Sequence, residues 1–166
     1  VYEAGKLKVA STRGDGSVGE DVTPNIRTIA SVPQVLKGKA PKLLEVRGEV
    51  YIEKQAFADM NAELEEQGQK TYVNPRNTAS GALRQLDARV SAQRPLSAVW
   101  YAVVEADNHG LKTQAEVAQA LKDWGFVTSA ELLKKTKLKV EVVKDVEDLI
   151  AVYERYRKHR HDLPFE

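Results

Sequence analysis

The chain has 166 residues, of which 25 are basic and 24 acidic, so its formal net charge is only +1 and no global positive field advertises nucleic acid binding; any contact with a polyanion must be local. Hydrophobic residues make up 42% of it, the share of an ordinary globular domain able to bury a core. Cysteine is absent, which excludes a disulfide framework, a thiol nucleophile and a thiolate zinc site within these residues. No apolar run approaches the roughly 18 residues of a membrane helix, and Val1 to Gly5 lack the layout of a signal peptide. A start without methionine and an end at Leu163-Pro164-Phe165-Glu166 without a tail are expected of a segment cut at both ends.

The opening predicts a hairpin: Val1-Tyr2, a turn at Glu3-Ala4-Gly5, then the alternating strand Lys6-Leu7-Lys8-Val9-Ala10. After the glycine-rich stretch Arg13 to Gly19, Thr23 followed by Pro24 predicts a helix start. The hydroxyl would cap and the proline suits the first turn, with the helix running to about Ile29 and Val32-Pro33 ending it. Leu43 to Ile52 is the clearest strand, because Leu44, Val46, Gly48, Val50 and Ile52 alternate with Glu45, Arg47, Glu49 and Tyr51. Lys54 to Gln67 reads as a helix with Phe57, Met60 and Leu64 on one stripe, closed by Gly68. Asn74 to Leu86 is a second, shorter helical element rich in small residues, and Leu96 to Val104 has strand composition before a turn at Asp107-Asn108-His109-Gly110. Thr113 caps a helix carrying Val117, Leu121 and Trp124, which Gly125 closes. Lys137 to Val143 reads as a short strand, with Lys134, Lys135, Lys137 and Lys139 fitting a protected edge. Asp145 caps a last helix whose apolar stripe is Val146, Leu149, Ile150, Tyr153 and Tyr156. Intermixed helices with half-polar strands predict one α+β domain with a largely antiparallel sheet.

Several constellations bear on chemistry. Gly14-Asp15-Gly16-Ser17-Val18-Gly19 matches the dinucleotide fingerprint G-x-G-x-x-G. The preceding strand is half polar rather than apolar on both faces, and Asp15, Glu20 and Asp21 would repel a pyrophosphate. The context therefore favours a tight glycine turn whose acidic residues start the next helix. Arg13 sits where a guanidinium can reach a ligand, although a lone arginine is more often a surface residue. Glu45, Arg47 and Glu49 share one strand face at about 6 to 7 Å intervals. That face suits a ribose, a metal or a base, or else forms a solvated ion ladder. Gly48 tips the balance slightly toward function, since a strand glycine marks close approach of a ligand or another backbone. Arg76 and Arg84 flank small residues about 12 Å apart along a helix axis. They either bracket two phosphates through their planar forks or lie exposed beside a packing face. The basic run Arg155, Arg157, Lys158, His159, Arg160 and His161 complements a helix dipole, and His109 has no spaced partner for metal binding.

Four blocks, in order and with matching spacing, resemble bacterial NAD-dependent DNA ligase. They are Thr12-Arg13-Gly14-Asp15-Gly16-Ser17-Val18-Gly19-Glu20-Asp21-Val22-Thr23, Leu44 to Val50, Asn74 to Asp87 with Arg94-Pro95-Leu96, and Arg160-His161-Asp162-Leu163-Pro164-Phe165. The resemblance covers the whole chain. It implies that residues 1–166 are the central part of the adenylation (nucleotidyltransferase) domain, an ATP-grasp-like ligase fold of mostly antiparallel sheets with flanking helices, truncated at both ends. It implies a reaction in which a lysine takes adenylate from NAD, passes it to a DNA 5′ phosphate, and the nick 3′ hydroxyl displaces it. By the same resemblance Glu49 matches the acidic residue of the third nucleotidyltransferase motif, which contacts the adenylate ribose, and Arg13 matches an arginine at the nucleotide site. Arg76, Arg84 and Arg160 match arginines that the family needs, expected on phosphates of the adenylate, the nicotinamide mononucleotide leaving group or the nick. Gly48 supports that strand, and Tyr101 matches a family aromatic position, with packing beside Trp100 as its alternative. Implied too are NAD as adenylate donor, magnesium, nicked duplex DNA as partner, a monomer, roles in replication and repair, and a bacterial cytoplasmic, nucleoid-associated location.

The family's nucleophile lies in a K-x-D-G motif just before the strand that begins here at Val1, and no such motif occurs in the chain. The I-D-G-V-V-I-K-V continuation would follow Glu166. No catalytic residue is therefore assigned, no metal ligand is identified, any zinc site would lie outside the chain, and the segment is expected to be inactive alone. The competing readings are a non-catalytic nucleic-acid-binding module, using the basic end and the arginine pair with strongly salt-dependent affinity, and a purely structural domain.

Overall fold

The computed structural model describes residues 1–134 and 136–165. Strands Tyr2–Glu3 (β1) and Lys6–Leu7 (β2) form an antiparallel hairpin, and Leu43–Leu44 (β3) pairs with the free edge of β1. Ala4 and Gly5 turn between them at φ 47° and 76°, the left-handed pair that matches the twist of a two-residue hairpin. The strand expected to reach Ala10 ends at Leu7, because the backbone of Ala10 is committed elsewhere: its N–H donates to Thr23 Oγ1 at 2.8 Å and its carbonyl accepts from Val22 at 2.9 Å.

Thr23–Ile26 (α1) is a single turn with Val22, not Thr23, at its N-cap. The Thr23 hydroxyl accepts from Ala10 and donates to Asp21 Oδ1 at 2.6 Å, so it ties the loop neck together instead of capping. The helix also stops short of Ile29, whose N–H reaches the Ile26 carbonyl in a tighter turn at 3.1 Å.

Val46–Ile52 (β4) and Leu96–Val103 (β5) form the second antiparallel pair. The continuous strand expected over Leu43 to Ile52 breaks at Glu45, whose carbonyl is taken by Val104 N–H at 2.9 Å. The alternation read from the sequence holds, with Leu44 and Ile52 buried and Arg47 and Glu49 exposed. On its other edge β5 receives residues 127–128, Trp100 N–H donating to the Val127 carbonyl at 2.9 Å.

Helices cover these strands. Lys54–Glu66 (α2) buries Met60, ends at Gly68 as expected, and leads to Pro75–Leu83 (α3), which lays Pro75, Thr78, Ala79 and Ala82 against β4. Ala88–Ala92 (α4) follows, unforeseen in the sequence reading. Gln114–Asp123 (α5) packs Val117 and Leu121 on β5, with Ser129–Leu133 (α6), also unforeseen, close behind. Tyr2, Leu44, Ile52 and Leu121 are fully buried and belong to one core shared by both sheets and the helices.

Near the end one expectation fails, and the last helix forms as expected with its apolar stripe uncovered. Lys137 to Val143 forms no strand, so Lys134, Lys137 and Lys139 guard no sheet edge; Lys135 lies outside the described residues. This segment is held by side chains, with Leu138 buried and the Lys139 carbonyl accepting from Tyr156 Oη at 3.0 Å. Val146–His159 (α7) has the predicted cap, Asp145 accepting from Asp148 N–H at 2.8 Å, but no buried residue: Val146, Leu149, Ile150 and Tyr153 are all exposed.

Candidate functional site

A cavity of about 270 Å³ opens between β4 and the start of α3, lined by Glu49, Val50, Tyr51, Ile52, Pro75 and Arg76. Its two charged residues arrive by different local rules. Glu49 lies on the exposed side of β4 with Tyr51 two residues on, because strand side chains alternate between faces. Arg76 is fixed by the start of α3, where Asn74 Oδ1 accepts from Asn77 N–H at 2.8 Å and Pro75 takes the first helical turn. Arg76 therefore stands in the first turn of α3, at the positive end of the helix dipole.

Neither Glu49 nor Arg76 has an ion-pair partner among the described residues, and the ion ladder of Glu45, Arg47 and Glu49 is not formed among them. The chain's C-terminal segment packs beside one lining residue: the Pro164 carbonyl accepts from Lys54 N–H at 2.8 Å, and Phe165 stands edge-on to Tyr51 with ring centroids 5.7 Å apart. Burial pushes the Tyr51 phenol up to about 12, so it lines the cavity as a neutral group.

Arg84 is the C-terminal cap of α3, at the far end of the helix that starts beside Arg76. Its Nε lies 3.1 Å from Glu20 Oε2. Arg13 is exposed, with its carbonyl accepting from Gly16 N–H at 3.0 Å. Arg160 is exposed at the end of α7, five residues before Phe165, which packs on Tyr51. The structure thus joins Glu49 to Arg76 in one cavity and Arg84 to the glycine loop. No contact brings Arg13 or Arg160 to the cavity among the described residues.

The glycine stretch folds as the tight turn favoured by its context. Asp15 Oδ1 accepts from the N–H groups of both Ser17 and Val18 at 2.8 Å, which holds its carboxyl below the usual range. Thr12 N–H closes the loop on the Glu20 carbonyl at 3.0 Å. Gly14 is required here: at φ +55° an added Cβ would lie 1.7 Å from the Val18 carbonyl oxygen. Asp21 accepts from Thr23 N–H at 2.9 Å at the start of α1, the helix-starting role expected of an acidic residue there.

Gly48 does mark a close approach, but of this chain's own parts. A Cβ there would lie 2.5 Å from the Val99 carbonyl oxygen and 2.7 Å from the Trp100 ring. Tyr101 is the extra residue in the register shift opposite Arg47 and Gly48. It is 47% exposed, so it is not the packing residue that its neighbour Trp100 suggested. Sequence reasoning did not name Tyr51 or Pro75 as lining residues; the signal was present, since Tyr51 follows Glu49 at the strand period and Pro75 precedes Arg76. Among the described residues no group of three or more His, Cys, Asp or Glu is placed to hold a metal ion, and no helix is long and apolar enough to cross a membrane.

Comparison with known proteins matches residues 1–166 to the model of the NAD-dependent DNA ligase adenylation domain. The chain is 45% identical over 166 residues to a DNA ligase of Hyphomonas neptunium (strain ATCC 15444), the match covering 99% of this chain and 22% of that protein. It is 45% identical over 165 residues to a DNA ligase of Rhizobium etli, with 99% and 22% covered. A DNA ligase of Caulobacter sp. (strain K31) is 45% identical over 171 residues, with 99% and 21% covered. The chain spans about a fifth of the length of these relatives.

Proposed function

The chain belongs to the family of NAD-dependent DNA ligase adenylation domains, and from that premise we propose that it supplies the ribose- and phosphate-binding part of the adenylation site of a ligase that seals nicked duplex DNA. In this reading residues 1–166 are the central part of a nucleotidyltransferase domain of ATP-grasp-like fold, in a monomeric bacterial cytoplasmic enzyme acting in replication and repair. The observation that carries it is the single cavity uniting Glu49 with Arg76.

Adenylate transfer is phosphoryl chemistry, in which the protein contributes, beside a lysine nucleophile assigned to sequence outside these residues, positioning and charge neutralisation. Glu49 is an acceptor suited to the ribose hydroxyls of the adenylate. Arg76, at the positive end of α3, is suited to the neighbouring phosphate through its planar fork. Arg84, Arg160 and Arg13 provide further cations for the pyrophosphate of NAD and for the nick, and exposed Tyr101 provides an aromatic face. The donor set fits magnesium held chiefly by substrate phosphates, because Glu49 is the one carboxylate lining the cavity and such ions need only one or two. When bound there, the ion would neutralise phosphate charge. The lysine nucleophile is assigned to sequence outside these residues, none of which forms K-x-D-G.

The test uses adenylate-labelled NAD and magnesium. In the full-length protein, Glu49→Ala and Arg76→Ala are each expected to lower nick sealing at least 100-fold, about the cost of losing one preorganised charged contact in the transition state. The 166-residue chain alone is expected to take no label. Near-normal sealing by either variant removes that residue from the site, and a covalent adduct on the isolated chain overturns the placement of the nucleophile.

A further inference from the structure

Arg84 meets the glycine loop through its side chain, and the backbone beside it is bracketed by α1. Its Nε faces Glu20 Oε2 at 3.1 Å, whereas its two terminal nitrogens make no hydrogen bond among the described residues and its side chain is 57% exposed. The backbone of Glu20 is fixed, since its carbonyl and N–H both close the glycine loop on Thr12 at 3.0 Å each, while its side chain is 65% exposed. The bracket is buried. Asn25, in α1, donates through Nδ2 to the Gln85 carbonyl at 2.7 Å and to Ser91 Oγ at 2.8 Å, and Ser91 in turn donates to the Ala82 carbonyl at 2.7 Å. Asn25 is 5% exposed and Ser91 1%, so this bracket fixes α1 against the end of α3 at the residue next to Arg84.

We propose that Glu20 is a positioning residue for Arg84: it holds the Nε edge of the guanidinium and presents the terminal nitrogens as a fork for phosphate oxygens. A free arginine side chain carries large rotamer entropy, which must be lost before bidentate contact forms; an edge already held by a carboxylate lowers that cost. The Asn25 bracket supplies the frame, tying α1, which follows the glycine loop, to the α3 terminus. The inference rests on the assignment of Arg84 to a phosphate, which belongs either to NAD or to the 5′ end of the nick.

The experiment compares Glu20→Gln, Arg84→Ala, Arg84→Lys and the Glu20→Gln/Arg84→Lys double variant of the full-length protein. Two quantities are read: affinity for nicked duplexes bearing a 5′ phosphate or a 5′ hydroxyl, and the rate of protein adenylation by NAD. Glu20→Gln is expected to weaken the phosphate-dependent reading about five-fold, the scale one exposed ion pair allows. The loss falls on the 5′-phosphate nick if the phosphate is the DNA's and on adenylation if it is that of NAD; affinity for the 5′-hydroxyl nick stays unchanged. In the Arg84→Lys background Glu20→Gln is expected to add nothing, because lysine has no Nε edge to hold. An unaltered Glu20→Gln protein, an equal loss on both nicks, or a loss that multiplies onto Arg84→Lys overturns the proposal. Normal adenylation and nick binding by Arg84→Ala would instead overturn the phosphate assignment, so the two failures are distinguishable.

Discussion

Gly48 shows how far a single residue can be read from sequence. Its presence in an otherwise β-branched and charged strand announces a close approach, and one exists. What approaches is set by the pairing of β4 with β5, which places Gly48 opposite Trp100, next to the register shift at Tyr101. No local pattern encodes that partner. The Trp100 ring also packs against Phe126, tilted at 56° with centroids 5.2 Å apart, which limits its room to retreat. Gly48→Ala is therefore expected to lower the stability of the chain by about 1 to 3 kcal/mol, the usual cost of overpacking. Urea unfolding checks this; an unchanged midpoint would mean that both the Trp100 ring and the β5 backbone at Val99 shift aside at no cost. Glu49 was legible for a different reason, since its charge and its strand phase are both local. Its meeting with Arg76 was not, because it depends on α3 folding back over β4.

At the scale of elements, the ends of helices were the most legible features. Asn74, Thr113 and Asp145 each accept from the backbone N–H three residues on, and Gly68 and Gly125 end helices in the left-handed conformation, as local chemistry requires. The five-residue helices α4 and α6 escaped notice although Asp87 and the pair Thr128 and Glu131 carry cap signals, because so short a segment shows almost no periodicity. In the first sheet the hairpin of β1 and β2 was legible from its turn, whereas the pairing of β3 with β1 was not, because long-range pairing alone defines it. Lys137 to Val143 has strand composition yet stays irregular, held through side-chain contacts with α7.

The start of α5 carries a prediction. Thr113 accepts from Glu116 N–H at 3.2 Å, and Glu116 accepts from the N–H groups of Lys112 and Thr113 at 2.7 and 2.8 Å. Thr113→Ala should cost about 1 kcal/mol at pH 7. The backbone N–H of Lys112, then that of Thr113, hold the Glu116 carboxyl below its ordinary value. A depressed native value means that the stabilisation is fully present above the unfolded value of about 4.3 and is lost as pH falls through the native one. Thermal unfolding should accordingly show Glu116→Gln less stable than the parent at pH 7, with the gap closing in acid. A gap that persists at low pH would assign the effect to packing rather than charge.

For the molecule as a whole, the two longest apolar stripes with sequence caps have opposite fates. On α5, Val117 and Leu121 are 5% and 0% exposed; on α7, Leu149, Ile150 and Tyr153 are 53%, 56% and 62% exposed. Periodicity alone gives the two helices the same expectation, because it reports which residues share a face and not whether anything lies against it. Among the described residues the hydrogen bonds and ion pairs that attach α7 to other segments lie in its C-terminal half and just beyond: Arg155 pairs with Glu141, Tyr156 bonds the Lys139 carbonyl, and the His161 carbonyl accepts from Lys54 Nζ at 3.3 Å. Stability should divide accordingly. Leu121→Ala removes a fully buried side chain from the shared core and should cost about 2 to 5 kcal/mol in the 166-residue chain. Ile150→Gln removes only a solvated one and should stay within about 0.5 kcal/mol. Native-state hydrogen exchange should agree, with the first turns of α7 exchanging through local opening and the middle of α5 only through global unfolding. If Ile150→Gln proves as damaging as Leu121→Ala, the α7 face is buried in solution and the helix belongs to the cooperative core.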